Sequence, residues 1–264
     1  MKQLIALLII SLTFASCTVY VLDTTPPAIP SGISTISLDN AVQIDWNANS
    51  ESDFAGYNIW VSDQYDGSYS RIGSAQLPQF VDYGASNGVT YYYGITAYDY
   101  DGNESEMSRD VAYDTPRPEG YHVSLYDFVI YPASAGYDFS TYSIGQYNDE
   151  FSDVFFENAN GLFYLNVWSD TDIQDMGYTQ TLDDISVAPT GGWSPSGSAE
   201  AIIGHTYVIW TWDDHYAKVR VKDITASRVV FDWAYQTAPA NPELSRAPQS
   251  LGRGQPMARP EIIQ

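Results

Sequence analysis

Positive charge is scarce in this 264-residue chain: 11 Lys and Arg stand against 33 Asp and Glu, a formal net charge of −22. Residues 118–217 carry no Lys or Arg at all. Nucleic acid is therefore not an expected partner, because a phosphate backbone is bound by cationic surface and this surface repels it. A single cysteine, Cys17, excludes a disulfide framework and any multi-cysteine metal site. The chain has too little Gly and Pro for a collagen, and its apolar residues show no helical period. What it does have is 44% hydrophobic and 15% aromatic residues, enough for packed cores rather than wholesale disorder.

Met1-Lys2 precedes an apolar run from Leu4 to Leu12 that is too short to cross ~30 Å of hydrocarbon as a helix but suits a secretory signal. The run leads into Phe14-Ala15-Ser16-Cys17, which resembles a bacterial lipobox with Phe in place of the usual Leu. The resemblance implies a signal peptide over 1–16, cleavage before Cys17, and acyl chains such as palmitate on that residue. The membrane partnership would then run through lipid rather than a spanning segment, with residues 17–30 as linker. Thr18 rather than Asp follows the cysteine, which implies an outer-membrane address on its periplasmic or surface face.

After Pro26-Pro27, short segments alternate with period two: Val42, Ile44 and Trp46 on one face, then Tyr57, Ile59 and Val61, then Tyr91, Tyr93, Ile95 and Ala97. Turn clusters such as Asp66-Gly67-Ser68 and Asp101-Gly102-Asn103 separate them, and the pattern reads as an all-β sandwich over 31–115. Trp46, Asp53-Phe54-Ala55-Gly56-Tyr57, Tyr91-Tyr92-Tyr93-Gly94-Ile95-Thr96-Ala97 and Gly102-Asn103-Glu104-Ser105 make this stretch resemble a fibronectin type III domain. Tyr91 stands where that family places its tyrosine-corner residue. The family implies a seven-stranded sandwich used as a spacer or binding module.

Thr115–Gly120 reads as a hinge to a second antiparallel β domain over 121–237, and 238–264 reads as a disordered tail. Strands are expected at Val123–Tyr131, Tyr137–Tyr142, Val154–Glu157 and Leu162–Trp168, with a short helix over Thr181–Ala188 capped by Thr181 and Asp184. At its end, His205–Trp212, His215–Lys222 and Arg228–Gln236 form a meander, the first pair joined by the two-residue turn Asp213-Asp214. That register buries Thr206, Val208 and Trp210 with Ala217, Val219 and Val221, and aligns Lys218, Arg220 and Lys222 on the opposite face. Tyr137-Asp138-Phe139-Ser140, Asp153-Val154-Phe155-Phe156 and Gly204–Asp213 with Tyr216–Val221 resemble the HmuY-like lipoproteins, which implies a haem carrier.

Several groups merit scrutiny as sites. By strand parity Trp60, Tyr92, Thr96 and Tyr98 face outward, and exposed rings make a platform for a glycan or an envelope protein. Lys218, Arg220 and Lys222 form a candidate anion site, with Lys218 opposite Asp232 and Arg220 opposite Tyr207 as its internal alternative. Asp99, Asp101, Asn103 and Glu104, or Asp170, Asp172 and Asp175, offer oxygens for Ca²⁺. Glu150, Asp153 and Glu157 are the carboxylates nearest to a glycosidase pair, with Asp153 and Glu157 on one outward face. His122, His205 and His215 are the bases, and the last two fall at opposite ends of one hairpin, which disfavours bis-histidine haem ligation. The expectation is a non-catalytic envelope lipoprotein acting as a binding module, with haem or anion carriage and polysaccharide binding as the alternatives.

Overall fold

The computed structural model describes residues 23–110 and 112–245. Cys17, the lipobox-like residues before it and the chain beyond Ser245 lie outside the described residues. The first domain packs two antiparallel sheets. One orders β1 (Ser34–Leu38), β2 (Ala41–Asp45) and β5 (Gln79–Asp82) as β1-β2-β5; the other orders β4 (Ser70–Ala75), β3 (Phe54–Ser62), β6 (Tyr91–Asp99) and β7 (Ala112–Asp114) as β4-β3-β6-β7. This is the fibronectin type III sandwich. The period-two alternation buries Val42, Ile44, Trp46, Tyr57, Ile59, Tyr93, Ile95 and Ala97 between the sheets. Trp46 meets Tyr57 edge to face at 5.0 Å, and Ser86 N–H donates to the Tyr91 hydroxyl at 3.2 Å, closing the tyrosine corner. Tyr91→Phe is expected to cost about 1 kcal/mol, read as a lower urea midpoint of the first domain, while an unchanged midpoint would show the corner to be idle.

The second domain is also a sandwich. One sheet orders β9 (Gly136–Asp138), β10 (Ser143–Gly145), β11 (Val154–Ala159), β12 (Leu162–Asn166) and β14 (Ser198–Glu200) as β10-β9-β11-β12-β14. The other orders β8 (Glu119–Tyr126), β13 (Asp172–Tyr178), β15 (His205–Trp210), β16 (Tyr216–Thr225) and β17 (Arg228–Gln236) as β13-β15-β16-β17-β8. Tyr137, Phe139, Phe156, Ile209, Val219, Phe231 and Trp233 fill the space between them. Several expectations change, beginning with the strand expected over Val123–Tyr131, which ends at Tyr126. The helix expected over Thr181–Ala188 is one 3₁₀ turn, Leu182–Asp184, although Asp184 does accept from Thr181 N–H at 3.3 Å and Thr181 Oγ1–H at 2.7 Å. The second strand, expected over Tyr137–Tyr142, breaks at a turn between β9 and β10.

A further change is one of register. β15 and β16 join not through Asp213-Asp214 alone but through the longer loop Thr211–His215, with Asp214 at φ +66°. Tyr207 pairs with Val219 and Ile209 with Ala217, one residue away from the expected register. A one-residue slip exchanges the faces of a strand. Tyr207 and Ile209 therefore enter the main core, and Val208 turns to a smaller cluster with Ala188 and Leu244. Leu244 belongs to the segment read from the sequence as disordered tail. Ala238–Ser245 instead lies across the sheet: Leu244 N–H donates to Ser186 C=O and Ala188 N–H to Pro242 C=O, both at 2.8 Å.

The junction between the domains is tied down. Gly88 N–H donates to Pro116 C=O at 2.8 Å and Tyr235 N–H to Pro118 C=O at 3.0 Å, with Arg117 wholly buried between them.

Candidate functional site

The outer face of the first domain does carry Trp60, Tyr92 and Tyr98 together, since Trp60 pairs with Gly94, Ser62 with Tyr92 and Gly56 with Tyr98 across β3 and β6. It is not an open platform. Glu104–Ser108 runs beside β6, with Ser105 N–H on Ala97 C=O at 2.8 Å and Ser108 N–H on Ile95 C=O at 2.9 Å. Thr96, expected outside, is buried: its hydroxyl donates to Glu104 Oε1, which also takes Asn58 Nδ2 at 2.8 Å, and receives the Trp60 indole N–H at 3.1 Å. Met107 covers Gly94, Tyr98 covers Gly56, and Tyr92 stands between Tyr65 and Tyr113 at 6.0 and 5.8 Å. The three rings remain half-exposed edges rather than a flat surface.

The basic ladder is a correction. Lys218, Arg220 and Lys222 do share the face opposite the main core, but Lys218 and Arg220 are buried beneath the segment 179–185, and Lys222 alone stands exposed. Lys218 is 0% exposed, and its ammonium donates to Ile185 C=O at 3.0 Å and lies 3.4 Å from Asp183 Oδ1. Burial, then the neighbouring Arg117, pushes the lysine well below its ordinary range, while Asp183 pulls the other way. Arg220 donates from Nε and Nη2 to Thr179 Oγ1 and O at 3.1 and 2.8 Å. Its Cα partners are Asp232 and Thr206 rather than Tyr207, and Lys218 pairs with Ala234 rather than Asp232. Asp232 takes Lys222 instead, at 3.4 Å. Lys218 and Arg220, held in this way, cannot receive an incoming anion, and exposed Lys222 is left as a single cation rather than a ladder. Sequence reasoning missed Arg117 and Asp183, the other half of the cluster, because a hinge arginine and a turn aspartate carry no periodic signal.

The histidines stay apart. Nδ1 of His205 lies 3.0 Å from both oxygens of Asp175, Nδ1 of His215 lies 3.2 Å from Asp213 Oδ2, and His122 stands exposed on β8 with its N–H on Asp232 Oδ1 at 2.9 Å. The spacing Gly-x-Ser-x-Gly occurs at Gly84-Ala85-Ser86-Asn87-Gly88, but this loop joins strand to strand, so no nucleophile elbow forms. In the first proposed calcium loop, Asp99 Oδ1 is taken by Asp101 N–H and Asn103 N–H at 3.0 and 2.8 Å, while Glu104 serves Thr96 and Asn58. Among the described residues, Asp99 instead comes together with Asp23 and Asp53, close enough for one cation. Asp175 of the second loop is engaged by His205.

Asp153 is not on an outward face with Glu157. It is buried, accepts from Phe139 N–H at 2.9 Å, and lies among Asp138, Asp213 and Asp170. Burial foremost, and these charges after the Phe139 bond has pulled the other way, raise it to about 7. Glu243, in the C-terminal strap Ala238–Ser245, is raised to about 8, by burial and then by Asp114. Both groups hold protons in the folded state that the unfolded chain has released, so their stabilisation is full below pH ~4 and lost as pH rises through 7 and 8. Melting temperature should fall between pH 5 and 8, and Asp153→Asn with Glu243→Gln should flatten the slope; a slope unchanged in the double variant refutes this assignment.

No family model matches the chain. It is 44% identical over 94 residues to the amylopullulanase of Thermoanaerobacterium saccharolyticum and 30% identical over 98 residues to Exoglucanase B of Cellulomonas fimi. These stretches cover 34% and 37% of this chain but only 7% and 9% of the two relatives. A solved Fn3-like protein from Clostridium thermocellum aligns over its whole length with 36% of this chain, at 30% identity and a TM-score of 0.31. The chain thus spans less than a tenth of the length of either enzyme.

Proposed function

We propose that this chain is a non-catalytic, glycan-associated module of the bacterial cell envelope, tethered by acyl chains on Cys17. The observation that carries the reading is the 44% likeness to a small part of an amylopullulanase, supported by the likeness to Exoglucanase B. Both names describe enzymes of glucan chains, and a segment covering less than a tenth of such an enzyme is of accessory size. Retardation in native gels containing pullulan, soluble starch or hydroxyethyl cellulose, with no release of reducing ends, is the expected result. Unretarded migration in all three, or steady sugar release, would overturn it. The anchor has its own test: radiolabelled palmitate enters the wild type and not Cys17→Ala, whereas equal labelling removes the tether.

A further inference from the structure

Between the two domains lies a cleft of about 560 Å³ whose walls come from both. On one side Asp39-Asn40 is the two-residue turn joining β1 to β2, with Asn40 at φ +50°, a left-handed conformation that asparagine tolerates. Asn40 and Asn87 exchange bonds, N–H to Oδ1, at 2.8 and 3.3 Å, and both direct Nδ2 to Asp39 Oδ1, at 2.9 and 2.7 Å. Two amides and a carboxylate are thus held in fixed orientation at the rim, and Glu119 lines the cleft beside them.

On the other side stands Tyr142, at the end of the turn between β9 and β10. Its φ of +57° is a conformation that a bulky residue adopts only at a cost of about 1–3 kcal/mol. The turn is clamped by Asp138, which accepts from Ser140 N–H and Oγ–H at 2.8 and 2.7 Å and from Thr141 Oγ1–H at 2.6 Å. One face of the tyrosine ring lies on Trp233, centroids 5.3 Å apart and planes 23° from parallel, yet Tyr142 is 47% exposed. Trp233, 4% exposed, also lines the cleft, as does Thr237. The Trp233 indole N–H and the Thr237 hydroxyl are both buried without a hydrogen-bond partner.

We propose that this cleft is a binding site for a short neutral oligosaccharide, a proposal that rests on the glycan reading above. An anion is disfavoured, because Asp39 and Glu119 face it and the nearby Arg117 is already paired with Glu119 and Asp183, at 3.2 and 3.0 Å. A wholly apolar ligand would leave the amides and carboxylates of the rim without water or partners. A sugar meets both demands: its C–H face covers the open side of Tyr142, and its hydroxyls donate to Asp39 and accept from the asparagines. The volume lies in the range of small-molecule clefts, which favour domain interfaces. The bonds that lock the junction keep both walls in place before binding, which lowers the ordering cost.

The test is calorimetric titration of the wild type, Tyr142→Ala, Tyr142→Phe and Trp60→Ala with maltohexaose and cellohexaose. Tyr142→Ala should weaken binding about tenfold or more, with Tyr142→Phe and Trp60→Ala close to wild type. An unchanged affinity in Tyr142→Ala overturns the cleft while leaving the glycan reading intact. No binding by the wild type to either sugar, with no retardation in the polysaccharide gels, overturns both.

Discussion

Asp183→Asn is expected to destabilise the second domain by about 2 kcal/mol, a fall of roughly 6–12 °C in its melting temperature, because Asp183 is itself half exposed and water screens part of its charge. Asp183 Oδ1 lies 3.0 Å from Arg117 Nη2 and 3.4 Å from Lys218 Nζ, and both cations are 0% exposed. Removing the carboxylate charge leaves an arginine, which cannot shed its proton, against a buried lysine, with Glu119 as the remaining counter-ion. The lysine can respond by losing its proton, since burial already favours the neutral amine. Because its folded pKa lies below the unfolded one, the folded state binds fewer protons and stability rises with pH through that interval. The Asp183→Asn penalty should therefore shrink as the solution becomes more alkaline, and Lys218→Met in the same background should recover most of it. A melting temperature that is unmoved by Asp183→Asn, or a double variant no better than the single one, would mean that the cluster is solvated rather than buried.

Leu244→Ala is the second large effect, about 2–5 kcal/mol. The side chain is wholly buried in a small cluster with Ala188 and Val208, against which Met176, Ile185, Trp193 and Tyr216 pack. A shortened side chain leaves a cavity, because the strap is pinned on both sides: Leu244 N–H reaches Ser186 C=O at 2.8 Å and Ser245 Oγ–H reaches Asp183 C=O at 2.9 Å. The unfolding transition of the second domain should move to lower urea while that of the first stays in place. Coincident transitions before and after the substitution would show that Ala238–Ser245 contributes nothing to the domain. The strap and Asp183 are coupled through the same short turn, so the two penalties should not be additive.

These two sites were also the least legible in the sequence. Ala238–Ser245 has Pro, Ala and Asn with a single large apolar residue, a composition typical of tails; one leucine becomes structural only because the domain presents a hole for it. Lys218, Arg220 and Lys222 alternate correctly, and their shared face was readable. The burial of Lys218 and Arg220 was not, since the segments that cover them lie far away in sequence. The slip at β15 has a local cause, because Asp213-Asp214 looks like a tight turn until Thr211 closes the longer loop with its bonds to His215, N–H and hydroxyl to C=O at 2.9 and 3.1 Å. Trp60 and Thr96 show the same limit: parity put both outside, and a neighbouring irregular segment then buried Thr96 and left Trp60 half exposed.

Strand alternation alone determined that the chain is all-β, that the first domain is a sandwich around Trp46, Tyr57 and Tyr93, and that a second β domain follows; the resemblance to fibronectin type III came from the motif residues. That information is local, since period two marks which side of a strand meets a core. Tertiary structure decided which outward faces stay outward, which cations find carboxylates, and that Asp39, Asn87, Tyr142 and Trp233 meet in one cleft. Those outcomes depend on contacts between distant segments, and the energy of burying a charge or a ring is set by what arrives to cover it.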